Sequence, residues 1–327
     1  MTDAPTDRWA KRNSTFGNLV VRAGFRQADT IYAFNGAALE MFRAARNQGV
    51  RTILDQTAAP WRSIKRLLSE EIERWPGWEE SPAELDVSGH LTAREEEEWT
   101  LADRIVCGSD FVASAMAKCH GPEDRCTVAP YPMPSVATLG ELHKPSRSEL
   151  ERPLRVLFVG TLQLRKGVQY LLEAKRRLGV VPIEFRLVGP SFLSGPIMSK
   201  LAREMELVGP APRSEMANHY GWADVVVLPT LSEGSANVCY EAMAVGLPVI
   251  TTPNAGSVIR DGKEGFIVPA RDSANLADRL ERLASQPILR EELSRNALGR
   301  LSCLGLNRYA ERLAEVVTDK AYSDESS

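Results

Sequence analysis

The sequence predicts an α/β protein of two domains, each a doubly wound sheet of parallel strands. Three observations carry this. The chain has 327 residues, about twice the length of a common domain. Short apolar runs bounded by Gly or Pro alternate with helical patterns, as buried parallel strands and their crossover helices do. Pro130-Tyr131-Pro132-Met133-Pro134 and the polar stretch to Pro153 read as a linker between the halves.

The first half opens with a helical pattern over 15–27 that enters a strand over 30–34. A helix over 37–47, stopped by Gly49, leads to a strand over 51–54. A helix over 92–101 carries Glu95 to Glu98, and strands over 104–107 and 126–129 flank a helix over 110–118. Four strands are few for an independent α/β domain, so this domain reads as incomplete. In the second half, residues 154–159 (LRVLFV) form a strand between Pro153 and Gly160. Lys166-Gly167 then opens a helix with Val168, Leu171, Leu172 and Leu178 on one face. A strand over 184–188 closes at Gly189-Pro190, a helix covers 196–205, and a short strand ends at Val208-Gly209-Pro210. Residues 214–220 form a short helix with Ser214 as N-cap. A strand over 223–228, a helix over 237–245, strands at 248–251 and 265–268, and helices over 273–285, 290–298 and 306–320 complete the pattern. The domains expected are 1–134, a linker 135–153, 154–300, and a C-terminal helical segment 301–327 packing back toward the first domain.

Composition excludes several classes. Hydrophobic residues at 43% and charged residues at 25% suit a globular protein with a large core. Lys+Arg number 40 against 43 Asp+Glu, a net charge of -3 that argues against a nucleic-acid binder. No apolar run is long enough to span a bilayer, and residues 1–11 hold no apolar core of a secretory signal. The five cysteines (107, 119, 126, 239 and 303) are scattered without a CxxC, which speaks against a disulfide framework or zinc site and for a cytoplasmic setting. Up to Leu68, eleven bases outnumber five acids. This segment reads first as solvated helix faces, with an anionic membrane surface or a phosphorylated substrate as the specific alternatives. Trp61, Ile64, Leu67 and Leu68 beside Arg62, Lys65 and Arg66 fit a basic amphipathic surface helix or one that covers a sheet.

The chemistry concentrates in two loops of the second half. Pro229-Thr230-Leu231-Ser232-Glu233-Gly234-Ser235-Ala236 joins a strand to a helix through Asn237 and Val238, with Glu241 one turn inside. Ligands of such sheets bind beyond the carboxyl ends of strands. Gly234 and Ser235 permit close backbone approach, and N–H groups from about Ala236 can hold phosphate oxygens. Glu241 can accept hydrogen bonds from ribose hydroxyls, and Glu233 lies nearer whatever extends past the phosphates. The second loop, Gly160-Thr161-Leu162-Gln163-Leu164-Arg165-Lys166-Gly167, puts two cations at a helix N-terminus, an arrangement suited to an anion between them. Cys239 reads as a packed small residue, and Trp75 and Trp78 as loop aromatics that stack on sugars or cover a core edge.

Together these segments resemble the family 4 retaining glycosyltransferases of the GT-B fold. The resemblance rests on Gly160…Lys166-Gly167, Gly209, Tyr220…Ala223-Asp224, Pro229-Thr230…Glu233-Gly234, Glu241-Ala242-Met243-Ala244-Val245-Gly246-Leu247-Pro248-Val249 and Asp261-Gly262…Gly265. Weaker matches in the first half are Glu98…Ala102-Asp103…Ser109 and Val128…Tyr131-Pro132. The resemblance implies two Rossmann-like domains facing a cleft and a nucleoside-diphosphate-sugar donor. It implies that Glu233 places the donor sugar, Glu241 holds the ribose and Lys166 neutralises the diphosphate. Gly160, Thr161, Gly189 and Gly209 would line the donor site. The acceptor would be a glycan or lipid-linked molecule, and the location cytoplasmic or peripheral at the inner membrane face. No Asp-x-Asp metal motif occurs, so the reaction is expected to need no metal or other cofactor, with Arg165 and Lys166 acting as fixed cations.

Three departures qualify the resemblance. The family's arginine after the first glycine is Thr161 here, with Arg165 supplying charge from a shifted position. Asp55 or Gln56 stands where the family often has a cleft histidine; His90, His120, His143 and His219 lie elsewhere. Nothing before Ala28 provides the family's opening strand, Gly-rich loop and helix. That leaves open a truncated reading of a longer gene, a chain that borrows the missing part from a partner, and a non-catalytic nucleotide-sugar-binding module.

Overall fold

The computed structural model describes residues 5–79, 89–133 and 152–318. The linker over 134–151 and His143 lie outside the described residues. The chain divides into two compact units. Among the described residues, one takes 5–69, 89–131 and 306–318, and the other 70–79, 132–133 and 152–305. The Trp75–Trp78 stretch counts with the second unit, and the helix after Gly305 with the first.

The first unit runs α1 (Pro5–Ala23), β1 (Thr30–Phe34), α2 (Leu39–Asn47), β2 (Arg51–Gln56), α3 (Trp61–Arg74, whose last turn counts with the second unit), α4 (Gly89–Leu101), β3 (Arg104–Cys107), α5 (Asp110–Lys118) and β4 (Cys126–Val128). The four strands are parallel, in the order β1-β2-β3-β4. Alternation along each strand separates two faces. Leu54, Ile105 and Cys107 meet Phe42 of α2 and Met116 of α5 in one core. Ile53 and Val106 point the other way, onto Val316, Leu313 and Tyr309 of α12 (Leu306–Thr318). The opening helix begins well before the expected residue 15 and ends at Ala23, with Gly24 at φ +75°. Its N-terminal half is polar, so an apolar period shows only where Val20 and Val21 reach the core.

Residues of the first half that match the resemblance are struts. The Glu98 carboxylate accepts hydrogen bonds from the backbone N–H groups of Gly36 (2.6 Å), Ala38 (3.1 Å) and Leu39 (3.1 Å) at the start of α2. Asp103 accepts from Thr52 N–H (2.8 Å), and Ser109 caps α5 through Val112 N–H (3.4 Å). Asp55 and Gln56, which stand where the family often has a cleft histidine, are 1% and 0% exposed. Asp55 accepts from the hydroxyls of Tyr32 (2.7 Å) and Tyr131 (3.0 Å), and burial raises its pKa above the usual carboxylate range. Gln56 bonds Glu95 (3.0 Å), the Ala58 carbonyl (2.9 Å) and the Trp99 indole (2.9 Å).

The second unit contains β5 (Leu154–Val159), α6 (Val168–Leu178), β6 (Ile183–Val188), α7 (Gly195–Ala202), β7 (Glu206–Gly209), α8 (Met216–Trp222), β8 (Val225–Leu228), α9 (Asn237–Ala244), β9 (Val249–Thr251), β10 (Gly265–Ile267), α10 (Ser273–Ser285) and α11 (Pro287–Gly299). Its six strands are parallel, in the order β10-β9-β8-β5-β6-β7. The chain winds outward from β5 to β7, returns to place β8 beside β5, and then winds outward on the other side. The switch point therefore lies between β5 and β8, and the loops leaving these strands stand next to each other where α/β sheets bind ligands. Ser214 is not an N-cap. It sits inside a 3-10 turn (Arg213–Glu215), and Glu215 precedes α8 with no side-chain cap. Trp78 is 5% exposed in this unit's core, with Trp75 edge-on to it at 5.3 Å and to Tyr170 at 5.7 Å. The tryptophans cover a core edge.

Candidate active site

The loop after β5 makes a 3-10 turn (Leu164–Lys166) and enters α6 through Gly167 at φ +77°. The loop after β8 carries Thr230 to Ala236 and enters α9. Backbone bonds join the two: Leu231 N–H donates to the Arg165 carbonyl at 2.8 Å, and the Thr230 hydroxyl to the same oxygen at 3.1 Å.

Arg165, Lys166 and Glu233 converge on one point although the glutamate lies 67 or more positions further along the chain. Lys166 Nζ pairs with Glu233 Oε1, and Arg165 reaches the same oxygen at 3.3 Å and the Ser232 carbonyl at 2.7 Å. All three side chains are mostly buried, between 14% and 21% exposed, so the charges act with little solvent screening. Glu233 is braced from behind by the turn after β9: its N–H donates to the Asn254 carbonyl (3.0 Å), and the Asn254 amide donates to the Leu231 carbonyl (2.8 Å).

Glu241, on the buried side of α9, is 14% exposed. The Tyr220 hydroxyl donates to Oε2 at 2.6 Å, and Arg213 approaches Oε1 at 3.6 Å. Tyr220 is fully buried, and burial with the adjacent carboxylate raises its pKa well above the usual phenol value. Sequence reasoning placed Tyr220 in the motif without a task, and Arg213 and Asn254 carry no local signal. The expected phosphate-facing N–H groups need one correction: Ala236 N–H is taken by the Ala255 carbonyl at 3.0 Å. The first-turn N–H groups of Asn237 and Val238, which helix geometry leaves without intrahelical acceptors, remain the candidates. Ser235 is likewise engaged, with the Tyr240 hydroxyl (2.8 Å) and the Gly256 carbonyl (3.1 Å).

The glycines of this edge serve backbone approach rather than contact through side chains. Gly189 N–H donates to the Gly209 carbonyl at 2.8 Å. A Cβ on Gly189, at φ +146°, would lie 2.0 Å from the Gly160 carbonyl oxygen. Cys239 is fully buried, and burial pushes its thiol up to about 12, consistent with packing. Among the described residues, no three His, Cys, Asp or Glu side chains gather as a metal site requires.

Residues 153–286 match the family described as Glycosyl transferases group 1. Among curated proteins, the chain is 31% identical over 245 residues to a D-inositol 3-phosphate glycosyltransferase of Paenarthrobacter aurescens (strain TC1), covering 66% of this chain and 58% of that protein. It is 34% identical over 168 residues to the protein of the same name from Frankia alni, covering 46% and 41%. The chain thus spans between about two fifths and three fifths of the length of these curated relatives. Among solved structures, sucrose-phosphate synthase from Thermosynechococcus elongatus superposes with a TM-score of 0.73 at 17% identity, covering 97% of this chain and 80% of that one. Anabaena Alr3699/HepE, solved with UDP-glucose, gives 0.63 at 18% identity, covering 95% and 82%. The fold is therefore GT-B, with two Rossmann-like domains.

Proposed function

Because this chain belongs to the group 1, family 4 glycosyltransferases, we propose that it moves a sugar, with retention, from a nucleoside-diphosphate-sugar to a glycan or lipid-linked acceptor. The observation that supports this best is the convergence of Arg165 and Lys166 on Glu233 beside the start of α9, with Glu241 one turn further in. When the bond between the sugar C1 and the β-phosphate oxygen breaks, negative charge develops on that phosphate; the acceptor oxygen bonds C1 on the face the phosphate leaves and passes its proton to the departing phosphate oxygen. Two fixed, poorly solvated cations and a helix N-terminus stabilise that charge. Glu233, at the end of the turn, meets the sugar, and Glu241, already held by Tyr220, accepts from the ribose hydroxyls.

The relative solved with UDP and with UDP-glucose makes uracil nucleotides the first donors to test. In a thermal-shift panel of UDP, GDP, ADP and their sugar conjugates, one nucleotide should raise the melting temperature of the wild type, and Glu241→Ala should lose the shift. At a ligand concentration of about 100 Kd the stabilisation is roughly 2.7 kcal/mol. No shift with any nucleotide would overturn the donor-site assignment. The proposal includes independence from divalent metal: transfer should proceed unchanged in EDTA, and activity lost to EDTA and restored by Mg²⁺ or Mn²⁺ would refute that part.

A further inference from the structure

The outward face of α1 has no role in the site described above. From Arg8 to Ala28 the sequence holds no Asp or Glu, while α1 carries Arg8, Lys11, Arg12 and Arg22, all exposed. Three large apolar side chains stand out among them: Trp9 is 37% exposed, Phe16 55% and Leu19 57%. At 100° per residue, Arg8, Arg12, Phe16, Leu19 and Arg22 share one side of the helix, and Gly17 and Val21 lie on the other. The inner side is fully used. Val20 and Val21 join the first unit's core, and Gly17 lets α1 approach so closely that a Cβ there would sit 2.9 Å from the Glu40 carboxylate. Trp9 also stands edge-on to Trp61, ring centres 6.1 Å apart, at the head of α3, whose Arg62, Lys65 and Arg66 are exposed as well.

Single exposed apolar residues are ordinary. Phe16 and Leu19 on one helix side, among four cations and with no carboxylate from Arg8 to Ala28, form the pattern of a helix lying in a membrane interface. We propose that this face of α1 docks on the surface of an anionic lipid bilayer. The cations attract the headgroup layer, and Phe16 and Leu19 enter the acyl boundary. A nucleic acid would match the arginines but gain nothing from Phe16 and Leu19, and an acidic protein would need a groove shaped to this convex helix. No described helix is long and apolar enough to cross a membrane, so the contact is peripheral at this face. The inference stands on the first unit alone and is independent of the donor site.

The full chain should be sedimented with vesicles of phosphatidylcholine alone and of phosphatidylcholine with about 30% phosphatidylglycerol. Wild type is expected to pellet with the anionic vesicles only, and less as salt rises from about 0.1 M to about 0.5 M. Replacing Phe16 and Leu19 by Ser should lower the partition at least ~10-fold. Replacing Arg8, Arg12 and Arg22 by Gln should lower it about 100-fold. All five side chains are exposed, so both variants should keep the wild-type melting temperature. Failure of the wild type to pellet with anionic vesicles would overturn the proposal. So would pelleting that Phe16→Ser/Leu19→Ser leaves unchanged, or binding to duplex DNA that this double variant retains, since either result assigns the face to a polyanion rather than a bilayer.

Discussion

Lys166→Ala is expected to lower the turnover of sugar transfer about 10²- to 10³-fold, roughly 3–4 kcal/mol of lost charge stabilisation. Lys166 and Arg165 both rest on Glu233 Oε1, 16% and 21% exposed, beside the first turn of α9. Under the proposed function, an arriving β-phosphate takes over the cations that Glu233 engages, which frees Glu233 toward the sugar. Removing Lys166 leaves Arg165 alone to carry the leaving charge, at a longer distance and already shared with the Ser232 carbonyl. Arg165→Ala should weaken nucleotide binding about as much as Lys166→Ala, because Thr161 leaves no other cation in the loop after β5. Steady-state kinetics with the donor found by thermal shift, together with nucleotide titration of each variant, measures both effects. A Lys166→Ala enzyme within about threefold of wild type would remove the cation pair from the mechanism.

Gly167→Ala is expected to cost about 4 kcal/mol or more, lowering the melting temperature of the second unit by roughly 10 °C. Gly167 has φ +77°, and a Cβ built there would lie 1.9 Å from the carbonyl oxygen of Pro229, the first residue after β8. Backbone stands on the far side of that contact, so no rotamer relieves it. The loops after β5 and β8 would have to part, taking Lys166 away from Glu233. Gly262→Ala is the matched control: its φ is +71°, and nothing lies within 4 Å of the added methyl. It should lose only about 1–2 kcal/mol for left-handed backbone. Differential scanning calorimetry of both variants tests the pair, and equal melting temperatures would show that the two loops do not meet as closely as described.

Strands such as 154–159 and 225–228 are largely buried on both faces, so their unbroken apolar runs announce them locally in the sequence. Glu233 and Glu241 are legible there too, because a turn and the first turns of one helix hold them, a span short enough for residue spacing to express. The onset of α1 is not legible, because polar residues on an exposed helix leave no period to detect. The contacts of Asp55 and Gln56 are illegible for a related reason. The sequence marks the end of β2, but their partners Tyr131, Glu95 and Trp99 come from segments 39 or more positions away.

The sequence by itself determined the fold class, the two loops and the residue types that can meet a diphosphate. Tertiary structure decided which of those residues touch. The order β10-β9-β8-β5-β6-β7 places β8 beside β5, and that crossover brings Lys166 to Glu233 across 67 residues; the fold also anchors Glu241 to Tyr220 across 21. Local patterns report the period of one element, whereas the pairing of elements follows from how several apolar faces share one core, a property no single segment carries.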